Sequence, residues 1–140
     1  MESIEPLRIV DFSTHLSGPL ATHLLAELGA NVVKIENPRT GDGNRGIFPV
    51  IEGVGMMDLA LNSGARSLAV DRRSAEWPQI VAACARWADA VVVGARPADV
   101  RRRGMDFATM SAANDRLIYC SVSGFGNTGP WADRTAHGQT

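Results

Sequence analysis

The feature that most constrains the fold is the strand–helix–strand order of the first 36 residues. Residues 7–12, LRIVDF, form a short apolar run that ends in an acid, which is typical of a buried strand opening into a loop. Leucines then recur at helical spacing over residues 20–28, after Ser17 as a candidate N-cap, and Gly29 ends the helix. Residues 31–36, NVVKIE, predict a second strand. Such a βαβ unit joins two parallel strands by a right-handed crossover.

The rest of the chain continues this alternation. Three further strands are predicted at residues 66–71, 89–94 and 116–124. Three further helices are predicted at residues 74–87 with Ser74 as the cap, from Pro97 onward, and at residues 105–114 ending at Asn114. Between residues 37 and 62 the turn-rich sequence predicts a long functional loop, or a loop with one helical turn. We therefore predict an α/β, Rossmann-like, open and mainly parallel sheet with helices on both faces.

Composition excludes several classes of function. The 14 basic and 15 acidic side chains nearly cancel, so no overall charge excess favours nucleic acid or an anionic membrane. Neither an export signal nor an apolar run of the roughly 20 residues that a membrane helix needs is visible. Cys84 and Cys120 lie in separate apolar runs without metal-ligand spacing, so we expect buried, reduced thiols, no metal and a cytoplasmic protein.

The loops that follow the predicted strands are the candidate binding positions, because parallel sheets bind ligands at the carboxyl ends of their strands. These loops are rich in arginine and glycine, which suits an anionic nucleotide tail. The first turn lacks the G-x-G-x-x-G pattern, and no Walker motif is present, so a nicotinamide role is disfavoured. Asp11 is either a catalytic acid or, as we favour, the cap of the next turn; His15 is a weaker candidate, and His23 on the first helix is expected to be structural.

Four segments, in this order and spacing, resemble the N-terminal part of the family III CoA-transferases, which include the α-methylacyl-CoA racemases: LRIVDFSTHLSGPLATHLLAELGANVVKIENPRTGDGNR, LNSGARSLAVD, ADAVVVGARPADVRRRG and NDRLIYCSVSGFGNTGPWADR. The resemblance implies a much longer intact chain that forms an interlocked homodimer and binds coenzyme A (CoA) on a Rossmann-like domain. It also implies acyl-CoA and a carboxylic acid as substrates. Residues 1–140 would then be the first part of the CoA-binding domain.

The resemblance also implies which residues contact CoA. Many relatives carry an arginine directly after the acid of KIE, where this chain has Asn37, and Arg39 would substitute for it. Among Arg101, Arg102 and Arg103, which otherwise read as a solvated helix face, only Arg102 matches a contact position. The remaining implied contacts are Arg66, Gly94, Ala95, Arg96, Gly124, Phe125 and Gly126.

The resemblance further implies two mechanisms for the segment after ADR. Transferases of the family use an aspartate there as nucleophile, forming an enzyme-bound acyl and then CoA intermediate. Racemases have a histidine immediately before that aspartate and move the α-proton by acid/base chemistry. This chain keeps His137 as the candidate catalytic residue and has Gly138 at the aspartate position. The alternatives are thus CoA transfer, racemase-type proton transfer through His137, and a non-catalytic CoA-binding module.

Overall fold

A computed structural model describes residues 7–136 of the chain. Its strands are β1 (Arg8–Asp11), β2 (Asn31–Glu36), β3 (Val50–Ile51), β4 (Val54–Gly55), β5 (Arg66–Ala69), β6 (Ala90–Val93) and β7 (Ile118–Ser121). Its helices are α1 (Ser17–Glu27), α2 (Met56–Asn62), α3 (Trp77–Trp87), α4 (Pro97–Arg102) and α5 (Phe107–Ser111), with a short 3₁₀ helix at Gly43–Gly46. No helix among residues 7–136 is long and apolar enough to cross a membrane.

Five strands form one parallel sheet in the order β5-β2-β1-β6-β7. The predicted parallel α/β fold is confirmed. The chain moves outward from β1 through β2 to β5 and then returns to the other side of β1 for β6 and β7, so the strand order reverses between β1 and β6. Crevices outside the carboxyl ends of strands at such a reversal are where open α/β sheets bind ligands.

Helices cover both faces of this sheet. On one face the larger core joins Phe12, Val81, Met105 and Met110 around Trp77, whose ring meets that of Phe12 edge-on with centroids 6.1 Å apart. On the other face α1 packs over the smaller core around Ile9, Val32 and Val92. The larger core therefore positions helices α3 to α5, and the smaller core positions α1.

Helix α1 differs from the prediction in its cap and in its buried side. The N-cap is Leu16, without a side-chain hydrogen bond, so Ser17 is the first helical residue and not the cap. The buried residues of α1 are Gly18, Pro19 and Thr22. Of the leucines whose spacing predicted the helix, those at positions 20, 24 and 28 are exposed, and Leu25 packs against the smaller core. Small residues bring this helix close to the sheet: a Cβ added to Gly18 would lie 2.0 Å from Oγ of Ser13.

Helix α3 also begins later than predicted. Its N-cap is Glu76 rather than Ser74, because Ser74 closes a turn in which its N–H donates to the carbonyl of Asp71. The segment between β2 and β5 contains the β3–β4 hairpin and α2, a fuller structure than a loop with one helical turn.

The two cysteines differ in exposure. Cys84 is buried as predicted, and burial raises the pKa of its thiol. Cys120 is exposed, which corrects the prediction of two buried thiols: it lies on the edge strand β7, beside Val92 on the sheet face of the smaller core, but is not among the residues that pack into that core.

Candidate functional site

A cleft of about 970 Å³ opens at the carboxyl edge of the sheet. One wall is the loop after β2, and the other runs from the end of α4 into α5. Ile35, Val70, Trp77 and Val81 supply apolar lining. Arginine dominates the charged lining, which consists of Glu36, Arg39, Asp42, Asp71, Arg72, Arg73, Arg102 and Arg103.

A smaller cleft of about 370 Å³ lies beside it. It is lined by Gly94, Ala95 and Arg96 after β6 and by Gly124 and Arg134 of the last described loop. Thr14, Arg72 and Arg103 line both clefts. Loops at the carboxyl edge of the sheet thus line both clefts, which is the position expected for ligand sites on a parallel sheet.

A buried charge cluster fastens two of these loops to each other. Lys34 Nζ lies 3.0 Å from Asp11 Oδ2 and 2.9 Å from Asp42 Oδ2, the latter an ion pair without hydrogen-bond alignment. The same ammonium donates to the carbonyl of Ser13 at 3.1 Å. Asp11 also accepts from the N–H of Ser13 at 2.7 Å and from Oγ1 of Thr22 at 3.1 Å. Asp11 is fully buried and shares its oxygens among these donors, so it is a turn cap rather than a free catalytic acid.

A second charged pair holds the loop after β2. Glu36 accepts from Nε and Nη2 of Arg45 at 2.8 and 2.7 Å and from the N–H of Asp42 at 2.8 Å. Arg45 also contacts Asp58 of α2 at 3.1 Å. The hydrogen bonds from Arg45 lower the pKa of Glu36 to about 2. At Gly41 φ is +66°, and an added Cβ would lie 2.3 Å from Cδ of Arg45, so a side chain at this turn would disturb the pair.

Six of the predicted contact residues line one of the two clefts. Arg39 and Arg102 line the larger cleft, whereas Gly94, Ala95, Arg96 and Gly124 line the smaller one. Asp99 holds two of these arginines, since it accepts from Arg96 Nη2 at 2.7 Å and pairs with Arg102. Hydrogen bonding to Arg96 is the main cause that lowers the pKa of Asp99.

Three other predicted contacts line neither cleft. Arg66 begins β5, at the opposite end of the strand from the clefts, and its Nη2 donates to Oδ1 of Asn31 at 2.7 Å. Phe125 packs edge-on against Trp131 with ring centroids 5.6 Å apart, and Gly126 occupies a turn with φ of +80°.

Two of the three histidines lie within the described residues. His137, the candidate catalytic residue, and Gly138 lie outside the described residues. His15 lines the larger cleft, whereas His23 places Nδ1 2.9 Å from the carbonyl of Ser63, which supports its structural role. No group of acids, histidines and cysteines within residues 7–136 could hold a metal ion.

Sequence reasoning did not single out Arg72 and Arg103, which line both clefts. Arg72 follows the strand predicted at residues 66–71 and was a candidate only as part of the loops after strands, and Arg103 was assigned to a solvated helix face. Arg103 is half-buried, and its carbonyl accepts from Nε1 of Trp77 at 2.9 Å. Trp77, five residues after Arg72, was the available signal for a packed arginine. A local pattern does not, however, reveal the contact that Trp77 makes with the distant Arg103.

Comparisons with known proteins show which family the chain resembles. A profile of the family described as CoA-transferase family III matches residues 4–140. The chain is 36% identical over 134 residues to succinate–glutarate CoA-transferase of Agrobacterium fabrum, covering 91% of this chain and 34% of that protein. It is 35% identical over 133 residues to formyl-CoA:oxalate CoA-transferase of Rhodopseudomonas palustris, covering 94% of this chain and 31% of that protein.

A solved structure extends the likeness to the fold. The crystal structure of a CAIB/BAIF family protein from Brucella suis superposes with a TM-score of 0.89 at 34% identity, covering 98% of this chain and 38% of that one. The chain spans about a third of the length of the curated relatives it matches. From the profile match, the identities and the shared fold together, we conclude that this chain belongs to CoA-transferase family III.

Proposed function

We propose that this chain is the CoA-binding N-terminal part of an enzyme that transfers CoA between carboxylic acids through an enzyme-bound intermediate. The observation that carries the proposal is the arginine-lined cleft of about 970 Å³ at the carboxyl edge of the parallel sheet. CoA presents a pyrophosphate and a 3′-phosphate, and guanidinium forks bind such groups with two parallel hydrogen bonds. Arg102 is the cleft arginine that the family resemblance also assigns to CoA, and Arg39 would substitute for the arginine that many relatives carry at the position of Asn37.

The nucleophile of such a transfer would be a carboxylate that attacks the thioester carbon and releases the CoA thiolate. Each carboxylate that lines the clefts already contacts another group of this chain. Asp42 pairs with Lys34, Glu36 with Arg45, and Asp99 with two arginines, while Asp71 accepts a hydrogen bond from the N–H of Arg73. We therefore place the nucleophile outside residues 7–136. Gly138 offers no such group at the position that the resemblance suggested.

Binding is tested first. Calorimetric titration of the full-length protein should give a CoA complex and no comparable response to NAD, because the arginine-lined cleft is present and the dinucleotide turn is absent. Tight NAD binding without any response to CoA would refute the proposed ligand.

Chemistry is tested next, against the two rival functions. Transfer through an enzyme carboxylate predicts a hydroxylamine-sensitive acyl or CoA adduct, located by mass spectrometry after incubation with acyl-CoA. Racemase-type chemistry instead predicts deuterium uptake at the α-carbon in D₂O that is lost in His137→Ala. CoA binding with neither adduct nor exchange would identify the non-catalytic module. A homodimer and a cytoplasmic location remain predictions beside this proposal.

A further inference from the structure

Arg72 and Arg103 are the two charged residues that the larger and the smaller cleft share. Arg72 follows β5, and Arg103 is the C-cap of α4, so the fold brings together two arginines that lie 31 positions apart in the sequence. Both are half-buried. A group bound between them would lie where the two clefts join.

Neither arginine has an acidic partner within the described residues. The arginine ion pairs of residues 7–136 are those of Arg8, Arg45, Arg96 and Arg102. The acids whose charges act on Arg72 are Asp11 and Asp42, and both contact Lys34 instead. A half-buried cation without a paired anion is costly, and a bound anion would relieve that cost.

Trp77 contacts the side chain of Arg72 and the backbone of Arg103. The guanidinium carbon of Arg72 lies 6.0 Å from the centroid of the Trp77 ring. Nε1 of Trp77 donates to the backbone carbonyl of Arg103. Arg72 Nη2 also donates to the carbonyl of Ile35 at 3.1 Å. One guanidinium nitrogen of Arg72 is thereby fixed to β2, and Nε and Nη1 make no hydrogen bond with residues 7–136.

The two cations also repel each other. Burial is the main cause that lowers the pKa of Arg72, and the charge of Arg103 lowers it further, against the smaller opposite effects of Asp11 and Asp42. Folding thus maintains a like-charge pair at this point, although the neighbouring acids Asp11 and Asp42 pair with Lys34. Repulsion of this kind is relieved when an anion lies between the two groups.

We propose that Arg72 and Arg103 form a phosphate-binding pair where the two clefts join, and that it holds a phosphate group of CoA. This inference rests on the proposed function and deepens it, because neither residue was among the contacts that the family resemblance implied. The pair suits phosphate because two guanidinium groups can donate to different oxygens of the same dianion.

The test compares Arg72→Met and Arg103→Met with Arg101→Met in the full-length protein. Methionine replaces the unbranched stem of arginine with an apolar chain and removes the charged guanidinium, whereas Arg101 is exposed and lines neither cleft. Calorimetry should show CoA binding weakened at least tenfold, about 1.4 kcal/mol, by each of the first two changes and unchanged by the third. Thermal unfolding identifies any variant that fails to fold, and Arg103→Met decides alone if Arg72→Met is lost in this way.

Dephospho-CoA, which lacks the 3′-phosphate, tells the phosphates apart. If the pair binds the 3′-phosphate, wild type and variants should bind dephospho-CoA equally; if it binds the pyrophosphate, the tenfold loss should persist. Either result supports the proposal. CoA affinities within twofold of wild type, or a loss seen only in KM for the carboxylic acid, would overturn it. A wild-type protein that does not bind CoA at all would instead overturn the proposed function itself.

Discussion

Replacing Glu36 with glutamine should destabilise the protein and loosen the loop that carries Arg39. The buried carboxylate of Glu36 accepts three hydrogen bonds, two from Arg45 and one from the N–H of Asp42. Glutamine keeps the shape but turns one acceptor oxygen into an NH₂ group that faces these donors. The variant therefore loses the charge and gains a donor–donor contact.

The magnitude follows from the pKa of Glu36, which is about 2 in the folded chain. An unperturbed glutamate has a pKa of about 4.3, so the difference of roughly two units corresponds to roughly 3 kcal/mol. The side chain of Arg45 is 45% exposed, so water screens part of this interaction. We expect Glu36→Gln to lower the free energy of unfolding by about 2 kcal/mol at pH 7.

The sign of the pH dependence provides a second check. Because folding lowers the pKa of Glu36, its stabilising contribution is fully present above the unfolded pKa and is lost as pH falls through the folded value of about 2. Urea unfolding of wild type and Glu36→Gln should therefore differ about half as much at pH 3 as at pH 7. Asp115→Asn is the control, since Asp115 is exposed. A difference that is the same at both pH values, or a loss below about 0.5 kcal/mol at pH 7, would refute the reasoning.

Two further predictions concern the charges around the clefts. Arg102→Ala should weaken CoA binding in calorimetry by about 1.5–3 kcal/mol, the range for a charge-assisted hydrogen bond, and by more than Arg101→Ala does; equal, small losses at the two positions would favour a solvated helix face. Lys34→Met should lower the free energy of unfolding by about 3–5 kcal/mol in urea titrations, because it leaves Asp11 and Asp42 buried together without their cation; wild-type stability in this variant would show that the cluster is not a structural brace.

Much of the fold could be predicted from local patterns. The predicted second strand has the bounds of β2, residues 31–36, because an apolar run between a helix stop and a turn leaves little choice of limits. The buried face of α1 could not be predicted in this way. Gly18 and Thr22 approach the sheet where leucine would not fit, so the exposed leucine spacing reveals a helix but not its orientation.

The sequence predicted the site residues whose position depends on the ends of strands, but not those whose position depends on contacts between distant segments. Arg102 was predicted because it matches the family pattern, and Arg39 because it follows a predicted strand two positions after the family's arginine position; both line the larger cleft. Arg66 was assigned to CoA by the same pattern, yet it starts its strand and so lies at the end away from the clefts. Arg103 was missed because its position depends on the hydrogen bond to Trp77, which joins segments 26 residues apart.

The pairing of charges at this edge is consistent with the proposed site for a polyanion in a chain with a net charge of −1. Lys34 contacts Asp42, Arg45 holds Glu36, and Asp99 is held by arginines, so the acids near the clefts are engaged within the chain. The positive charge of Arg72 and Arg103 is not engaged by an acid of residues 7–136 and faces the space where the clefts join. Such a local excess of charge attracts phosphate at short range, although the overall charge gives no long-range attraction. CoA affinity should accordingly depend on which arginines face the cleft rather than on the net charge of the protein.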